Sequence, residues 1–466
     1  MTGTLAERKI DLGSRLSIHI VGIGGAGMRA IALVLSSMGH SVSGSDLKNS
    51  SGLDRLTASG IEVAIGHDLS NVGQIDIVAR STAVTDRNIE IIEARKRGIP
   101  VVSRAEILSA ITKMKRAVSV AGTHGKTTTS SMLAVLLAKA NLNPSFIIGG
   151  EVNEIGCGAL WEADSNLFVV EADESDGTFL TLDSDYGIIT NVEPDHLGHY
   201  GSEDHLRSAF NTFLENVRTK AFVCIDDDNL KALAQKSDVI TYGVDPRADY
   251  VISNYKGFRF GSTFSLHGPT EPLGEFTVAT PGIYNVQNAA AALAFADYLE
   301  ADIDLLREGL AQFGGVARRF HYRGERNGIS FIDDYAHLPT EVESVLQAAT
   351  EGDWGRIICV FQPHRYSRTQ DLWKDFSESF YNADVVYITD VYSAGESPIP
   401  GVSGRLIADV VRETEPEKQV VYCEHRAELV DHIRSELTHG DLCLSLGAGD
   451  ITTLPNELMS GGQHAE

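Results

Sequence analysis

Short apolar runs, rich in Val, Ile and Leu, recur along the chain, and each closes on glycine or on a cluster of polar residues. Runs of that length bounded by turn formers read as buried strands. The pattern predicts strands over residues 18–21, 40–45, 61–64, 75–79, 100–103, 118–121, 167–170, 186–190, 329–332, 357–361, 385–389, 420–423 and 441–445. Helical spacing of apolar positions follows at 28–38 and 130–139, and 220–241 reads as a further strand–helix–strand stretch. From 245 to 280 the pattern turns to short alternating strands with glycine turns, a β-rich subsegment. Residues 281–288 (PGIYNVQN) then lead into an apolar helix, AAAALAFADYL. Strands alternating with helices predict an α/β fold of open, mainly parallel sheets. In such sheets ligands sit beyond the carboxyl ends of the strands, which is where the polar clusters fall here.

A length of 466 residues exceeds what one core organises and predicts three domains. Their expected bounds are 1–110, 111–315 and 316–466, the last boundary lying at Gly314-Gly315. A net charge of −25 argues against general nucleic-acid binding, which needs a basic face. It also requires any anionic substrate to be held by local Arg, Lys, Mg2+ or helix N-termini. No apolar run is long enough to span a bilayer, so no membrane partner is expected, and the polar N-terminal stretch lacks the apolar core of a signal peptide. Five scattered cysteines without CxxC spacing indicate neither a disulfide framework nor a zinc site, and reduced thiols in a cytoplasmic protein are expected.

The sharpest chemical signal is the stretch AVSVAGTHGKTTTSS at 117–131. A strand, a glycine turn and a helix opening with Lys126-Thr127 form a phosphate cradle. Gly122, Thr123, His124, Gly125 and Thr128 complete the turn and first helical residues. Lys126 would neutralise the β- and γ-phosphates of ATP, and the Thr127 hydroxyl would ligate Mg2+. Only Thr123 and His124 stand between the glycines, where a standard P-loop has four residues. Strand 167–170 ends in EADESD, whose Glu171 suits a hard cation, and His196 follows the next strand at the same level. Asn285 and Asn288 stand at a helix start, as caps or as amides reaching a nucleotide base. Earlier in the chain, Gly22-x-Gly24-x-x-Gly27 with Asp46 about 20 positions on is a dinucleotide-type fingerprint, read most simply as NAD with Asp46 on the ribose. His67, Ser81, Thr82 and Arg104 lie near strand ends as further candidate contacts. The expected architecture is a Rossmann-like first domain, a P-loop second and a Rossmann-like third.

The order of these motifs, with YNVQNAAAA, ARRFHYRG, DDYAHLPTE and FQPHRYSRT further on, resembles the Mur ligases, over nearly the whole chain from about residue 16 to 450. The resemblance implies domains for UDP-substrate binding, ATP turnover and amino-acid binding. It implies that Gly22, Gly24 and Gly27, with Asp46, Ser81, Thr82 and Arg104, serve UDP-N-acetylmuramate rather than NAD. It further implies that Glu171 and His196 hold Mg2+ and that Asn285, Asn288 and Asp334 lie near the nucleotide. Arg319 would stabilise charge as the sugar-borne carboxylate takes the γ-phosphate and becomes an acyl phosphate. Tyr335, His337, His364, Arg365 and Arg368 would serve the incoming amino acid, L-alanine, whose amine then attacks the acyl carbon. Arg365 or Arg368 suits a bidentate clamp on its carboxylate, and a histidine of near-neutral pKa would take the amine proton. Some Mur ligases carry a carbamylated lysine about fifteen residues past the DH histidine. Here that position is about Asn211, and the alanine-adding branch also lacks the lysine.

Overall fold

A computed structural model describes residues 10–152 and 157–460; the start of the polar N-terminal stretch, residues 1–9, lies outside them. The chain divides into two compact units. One holds residues up to Ser253 with Leu266–Gly274 and Gln287–Phe313, and the other holds Asn254–Ser265, Glu275–Val286 and everything from Gly314.

The first unit carries two sheets. In the first, β1 (Ser17–Val21), β2 (Ser41–Asp46), β3 (Glu62–Ile65), β4 (Ile77–Arg80) and β5 (Val101–Ser103) lie in the order β3-β2-β1-β4-β5, all parallel. The second sheet uses β6 (Arg116–Ala121), β7 (Ser145–Val152), β8 (Cys157–Leu160), β9 (Leu167–Glu171), β10 (Tyr186–Ile189), β11 (Lys220–Cys224) and β12 (Val239–Gly243), ordered β12-β11-β10-β6-β9-β7-β8. Only β7 and β8 pair antiparallel in that run. β6, the strand that ends at the phosphate cradle, is central, and its residues from Ala117 on are buried. Helix Ile283–Tyr298 keeps Ala289–Ala296 fully buried. Small side chains let its backbone come close, and the rings of Phe295 and Tyr298 meet Tyr186 and Phe222 edge-on. β13 (Tyr250–Phe258), β14 (Gly261–His267) and β15 (Pro272–Val278) are the alternating strands expected after residue 245.

Two features depart from the sequence reading. Between β11 and β12 there is no α-helix, only a single 3-10 turn at Leu233–Gln235. Asp226, Asp227 and Asn229 occupy that connection. Asp227 takes the N–H groups of Val192 and of nearby Asn229, and Asn229 donates to the Val192 carbonyl, so the connection is tied to the segment after β10. The β7–β8 hairpin gave no strand signal because Gly149-Gly150 interrupts its apolar run.

The second unit holds β16 (His321–Arg326), β17 (Ile329–Asp334), β18 (Ile357–Phe361), β19 (Val385–Thr389), β20 (Gln419–Cys423) and β21 (Leu442–Leu446) in the order β16-β17-β21-β18-β19-β20. All neighbours are parallel except β16 and β17. Part of the basic ARRFHYRG cluster is therefore an edge strand. Its hairpin turns on Asn327-Gly328, both at positive φ, as a tight two-residue turn requires. Phe361 anchors the core beneath this sheet, its ring 5.1 Å from Phe376 and 5.4 Å from Phe380. Phe361→Ala should therefore cost about 3–5 kcal/mol of unfolding free energy. A denaturant titration showing a loss below about 1 kcal/mol would contradict this account of the core.

Candidate active site

The cradle at the end of β6 is shaped by two glycines. Gly122 has φ +139° and a Cβ there would strike Thr190 Oγ1, while Gly125 has φ +79° and its Cβ would lie 2.5 Å from Asn288 Oδ1. No other residue fits either position without rearrangement. The segment after β10 braces the loop. Asn191 Oδ1 accepts the His124 N–H at 2.8 Å, its side-chain amide donates to the His124 carbonyl at 3.1 Å, and its carbonyl accepts the Thr123 N–H. Thr123 exchanges hydrogen bonds with the backbone of Glu193, and His124 Nε2 lies 3.3 Å from the Glu193 carboxylate. Asn288 accepts the Thr129 hydroxyl at 3.1 Å, so it ties helix Lys126–Lys139 to helix Ile283–Tyr298; Thr128 is buried in the first turn of the former.

Lys126 turns its ammonium onto the loop itself. It donates to the carbonyls of Gly122 and Thr123 at 2.5 and 3.1 Å and lies 2.8 and 3.0 Å from the two carboxylate oxygens of Glu174. Burial disfavours the Lys126 charge, but the Glu174 carboxylate outweighs it and the lysine pKa is raised. Burial pushes Glu174 up to about 7 despite Lys126. The Thr127 hydroxyl donates to Glu171 at 3.1 Å, and the other Glu171 oxygen accepts the Gly149 N–H. His196 sits at φ +54°, its Nε2 3.2 Å from Asp195 and 3.9 Å from Glu174. A hydroxyl and a carboxylate at a helix N-terminus, with further carboxylates and an imidazole close by, form a donor set suited to Mg2+. Sequence reasoning missed Glu174 and Tyr200, whose hydroxyl donates to the Glu174 carbonyl. EADESD offered several carboxylates, and nothing local marks which one meets the lysine.

The first glycine loop is tied down differently from expectation. Gly22 (φ +79°) and Ile23 donate to the Ser45 carbonyl, and a Cβ at Gly22 would lie 2.9 Å from Ser81. The Asp46 carboxylate accepts the Gly24 N–H at 2.9 Å, so it shapes the loop. Thr82 is exposed in the turn after β4. Arg104, at the first turn of helix Arg104–Thr112, reaches the acidic loop after β9, 2.9 Å from Asp176 and 3.2 Å from Asp173. A Cβ at Gly27 would lie 3.3 Å from its Nη1, so one guanidinium touches both loops. His67 joins a buried network instead of facing a ligand. It lies 3.0 Å from Ser45 Oγ and 3.3 Å from Glu90, a fully buried carboxylate. Burial opposes the Glu90 charge, but hydrogen bonds from His19, Ser45, Asn71 and Asp68 prevail and pull it down to about 2.

In the second unit the polar groups gather after β17, β18 and β19. Asp334 is buried and spends both carboxylate oxygens on backbone, taking the N–H groups of Phe320 at 2.6 Å and Ala336 at 2.8 Å; burial raises it to about 6. Arg318 and Phe320 both have positive φ in the loop this pins. Arg318 donates to the carbonyls of Gly447 and Gly449, and both Arg318 and Arg319 lie over the Tyr335 ring at 4.8 and 5.3 Å. Asn285 donates to the Pro281 carbonyl at 2.7 Å, a local role within its own turn. His337 Nδ1 lies 3.0 Å from the Tyr335 carbonyl, which can only accept. Nδ1 therefore donates there, and the Glu341 carboxylate also lies 3.2 Å from it. His364 stacks on Tyr392 at 5.8 Å and lies 5.7 Å from His337, with Arg368 Nη1 3.1 Å from its Nδ1. Burial lowers His364 to about 4, helped by His337, Arg368 and Arg365. The sequence leaves open which histidine would take the amine proton, and His364, buried among cationic neighbours, does not fit that part. Arg365 holds φ +71° at the start of helix Tyr366–Leu372, its N–H donated to the Tyr392 carbonyl.

Three family models match the chain: "Mur ligase family, catalytic domain" over residues 17–116, "Mur ligase middle domain" over 120–296 and "Mur ligase, glutamate ligase domain" over 318–449. A UDP-N-acetylmuramate–L-alanine ligase of Myxococcus xanthus is 44% identical over 446 residues, covering 95% of this chain and 94% of that protein. One of Agrobacterium fabrum is 43% identical over 461 residues, covering 95% and 97%. The crystal structure of a UDP-N-acetylmuramate–alanine ligase of Thermotoga maritima matches with a TM-score of 0.79 at 30% identity, covering 96% of this chain and 99% of that one.

A folded-state pKa of about 4 for His364, against 6.5 when unfolded, means the native state binds fewer protons between those values. The group should thus withdraw stability as pH falls from about 6.5 to about 4 and contribute nothing above that window. In imidazole-labelled protein, the His364 carbon resonance should titrate with a midpoint near 4. A midpoint near 6.5 would refute the assignment.

Proposed function

The chain belongs to the Mur ligase family, and on that footing we propose that it joins L-alanine to the carboxylate of UDP-N-acetylmuramate, with ATP, through an acyl phosphate. The observation that carries this is the coincidence of two things. Near-full-length relatives of that activity are 43–44% identical to the chain, and the loop ending β6 presents Lys126, Thr127 and Glu171 as one cluster. No helix among the described residues is long and apolar enough to cross a membrane. A cytoplasmic step of peptidoglycan precursor synthesis is in keeping with that and with five free thiols.

In this reading residues 1–110 bind the UDP-sugar, 111–315 turn over ATP and 316–466 handle the amino acid. The β- and γ-phosphates compete with Glu174 for the Lys126 ammonium, while Gly122 to Thr128 and the helix N-terminus surround them. Thr127, Glu171 and His196 would hold Mg2+, which would supply counter-charge to the phosphate oxygens. Gly22, Gly24, Gly27, Ser81 and Thr82 line the approach of the diphosphate of the sugar nucleotide. Arg104, which touches both Gly27 and the acidic loop, connects that substrate to the ATP loop. Asn288 and Asn285 flank the nucleotide, and Asp334 holds the loop that displays Arg319. Arg319, fixed over Tyr335, meets negative charge as the carboxylate oxygen displaces ADP from the γ-phosphorus. Arg365 and Arg368 grip the alanine carboxylate. His337, with Nδ1 held by the Tyr335 carbonyl, accepts the amine proton as the amine attacks the acyl carbon and phosphate departs. His364 remains neutral and packs beside it.

Phosphate release measured with each substrate omitted in turn should fall to background whenever UDP-N-acetylmuramate, L-alanine or ATP is missing. Turnover of ATP indifferent to the other two would refute the reading. Lys126→Ala should lower kcat by about 10²–10³-fold while the fold persists by circular dichroism. A folded variant of near-normal rate would remove Lys126 from the chemistry.

A further inference from the structure

We propose that Cys423, Glu428 and His432 form a binding site for a thiophilic divalent cation of the Zn2+ class. None of the three takes part in the reaction assigned above. Among the described residues they are the one grouping in which three ligand atoms of His, Cys, Asp or Glu lie within 4.8 Å of one another.

The placement follows from two rigid elements. Cys423 is the last residue of β20, held in register opposite Thr389 of β19, so the thiol is fixed by the sheet. Glu428 and His432 stand four residues apart on helix Arg426–Glu436, which puts them on one face a turn apart. Their side chains are each 53% exposed, with His432 Nε2 3.8 Å from Glu428 Oε1. The thiol thus forms the floor of a site whose two outer ligands are open to solvent. Arg426, which begins the same helix, is committed to Glu457 at 3.0 Å.

The donor set fixes the class of cation. Sulfur, imidazole nitrogen and one carboxylate oxygen, with water in a fourth position, are a tetrahedral set for Zn2+, Co2+ or Cd2+ and a poor one for Mg2+. Metal–ligand bonds of about 2.0–2.3 Å require the three atoms to draw in slightly. The two solvent-facing side chains are free to supply that movement through their rotamers. On binding, the S–H bond breaks, its proton passes to water and the sulfur lone pair forms the metal bond. Burial, and then the neighbouring Glu428 charge, hold the thiol up at about 11. Without a cation it is accordingly a protonated, unreactive group, and a cation at this point relieves both the buried thiolate and the carboxylate beside it.

The test is a Co2+ titration of the full chain without nucleotide, read by absorption. A thiolate-to-cobalt charge-transfer band should appear in the near ultraviolet, Zn2+ should abolish it and excess Mg2+ should leave it intact. Co2+ bound only to the oxygen and imidazole ligands of the ATP loop gives no thiolate band, so failure of the ATP-loop reading and failure of this one are distinguishable. Cys423→Ser should remove the band. His432→Ala and Glu428→Gln change exposed groups, and each should weaken Co2+ binding at least about tenfold while ligation activity is unchanged. Absence of the band in the unaltered chain, its survival in Cys423→Ser, or unchanged affinity in both exposed variants would overturn the proposal.

Discussion

A lysine ammonium set against two loop carbonyls and a carboxylate is the constraint around which the first unit is arranged. Lys126 is largely withdrawn from water, and so is its partner Glu174. Removing one member of such a pair leaves the other charge buried, a penalty of about 3–5 kcal/mol. The pair therefore needs a scaffold that fixes both ends. On the lysine side, β6 is enclosed between β10 and β9, and Gly122 and Gly125 bend the chain within contact of Thr190 and Asn288. On the carboxylate side, β9 ends at Glu171 and its loop is held by Arg104, Tyr200 and the Ser175 backbone. The cost of keeping a cation there is met by many short polar contacts, and what results is a point of positive charge in a chain whose net charge is −25.

What the sequence made legible is what depends on neighbours in the chain. The central strands announce themselves as apolar runs, and Gly-Lys-Thr after such a run fixes where a helix N-terminus faces. The Asn327-Gly328 hairpin would have been readable in the same way. What was not legible depends on partners far along the chain. Asp46 looks like a ribose ligand at its spacing from Gly22, yet its carboxylate closes on Gly24 once β2 lies beside β1. Arg104 belongs to the first sheet by sequence but meets Asp173 and Asp176, some seventy residues on. Cys423, Glu428 and His432 are close in sequence, but they match no familiar ligand spacing, and what brings them together is how helix Arg426–Glu436 packs at the end of β20.

Electrostatics follow the same division. Composition predicts an acidic surface, and the second unit nonetheless carries Arg318 and Arg319 just before β16 and Arg365 and Arg368 after β18. His364 shows one consequence: burial first, and then His337, Arg368 and Arg365, keep it from holding a proton near neutral pH. A histidine in a motif is thus not by itself a base. The neighbouring His337 is held differently, with Nδ1 against the Tyr335 carbonyl and the Glu341 carboxylate.

Backbone strain separates the functional loops from the ordinary ones. Of the non-glycine residues at positive φ, Asn141, Asn143, Asn254 and Asn327 are the type that tolerates it, and Glu300 and Ala394 lie in turns next to helix or glycine. The remainder are His196, Arg318, Phe320 and Arg365. Each of these costs of order 1–3 kcal/mol relative to an unstrained backbone, and such conformations persist only where the surroundings over-determine them. The surroundings do so here: Asp334 grips the Phe320 N–H, Asp195 grips the His196 N–H, and the Tyr392 carbonyl grips the Arg365 N–H. Local preference is overruled by hydrogen bonds, those to Phe320 and Arg365 long-range and that to His196 from the residue before it, in loops that carry Arg319, Arg365 and His196. Two independent lines, one from residue identity and one from backbone conformation, therefore converge on the same loops.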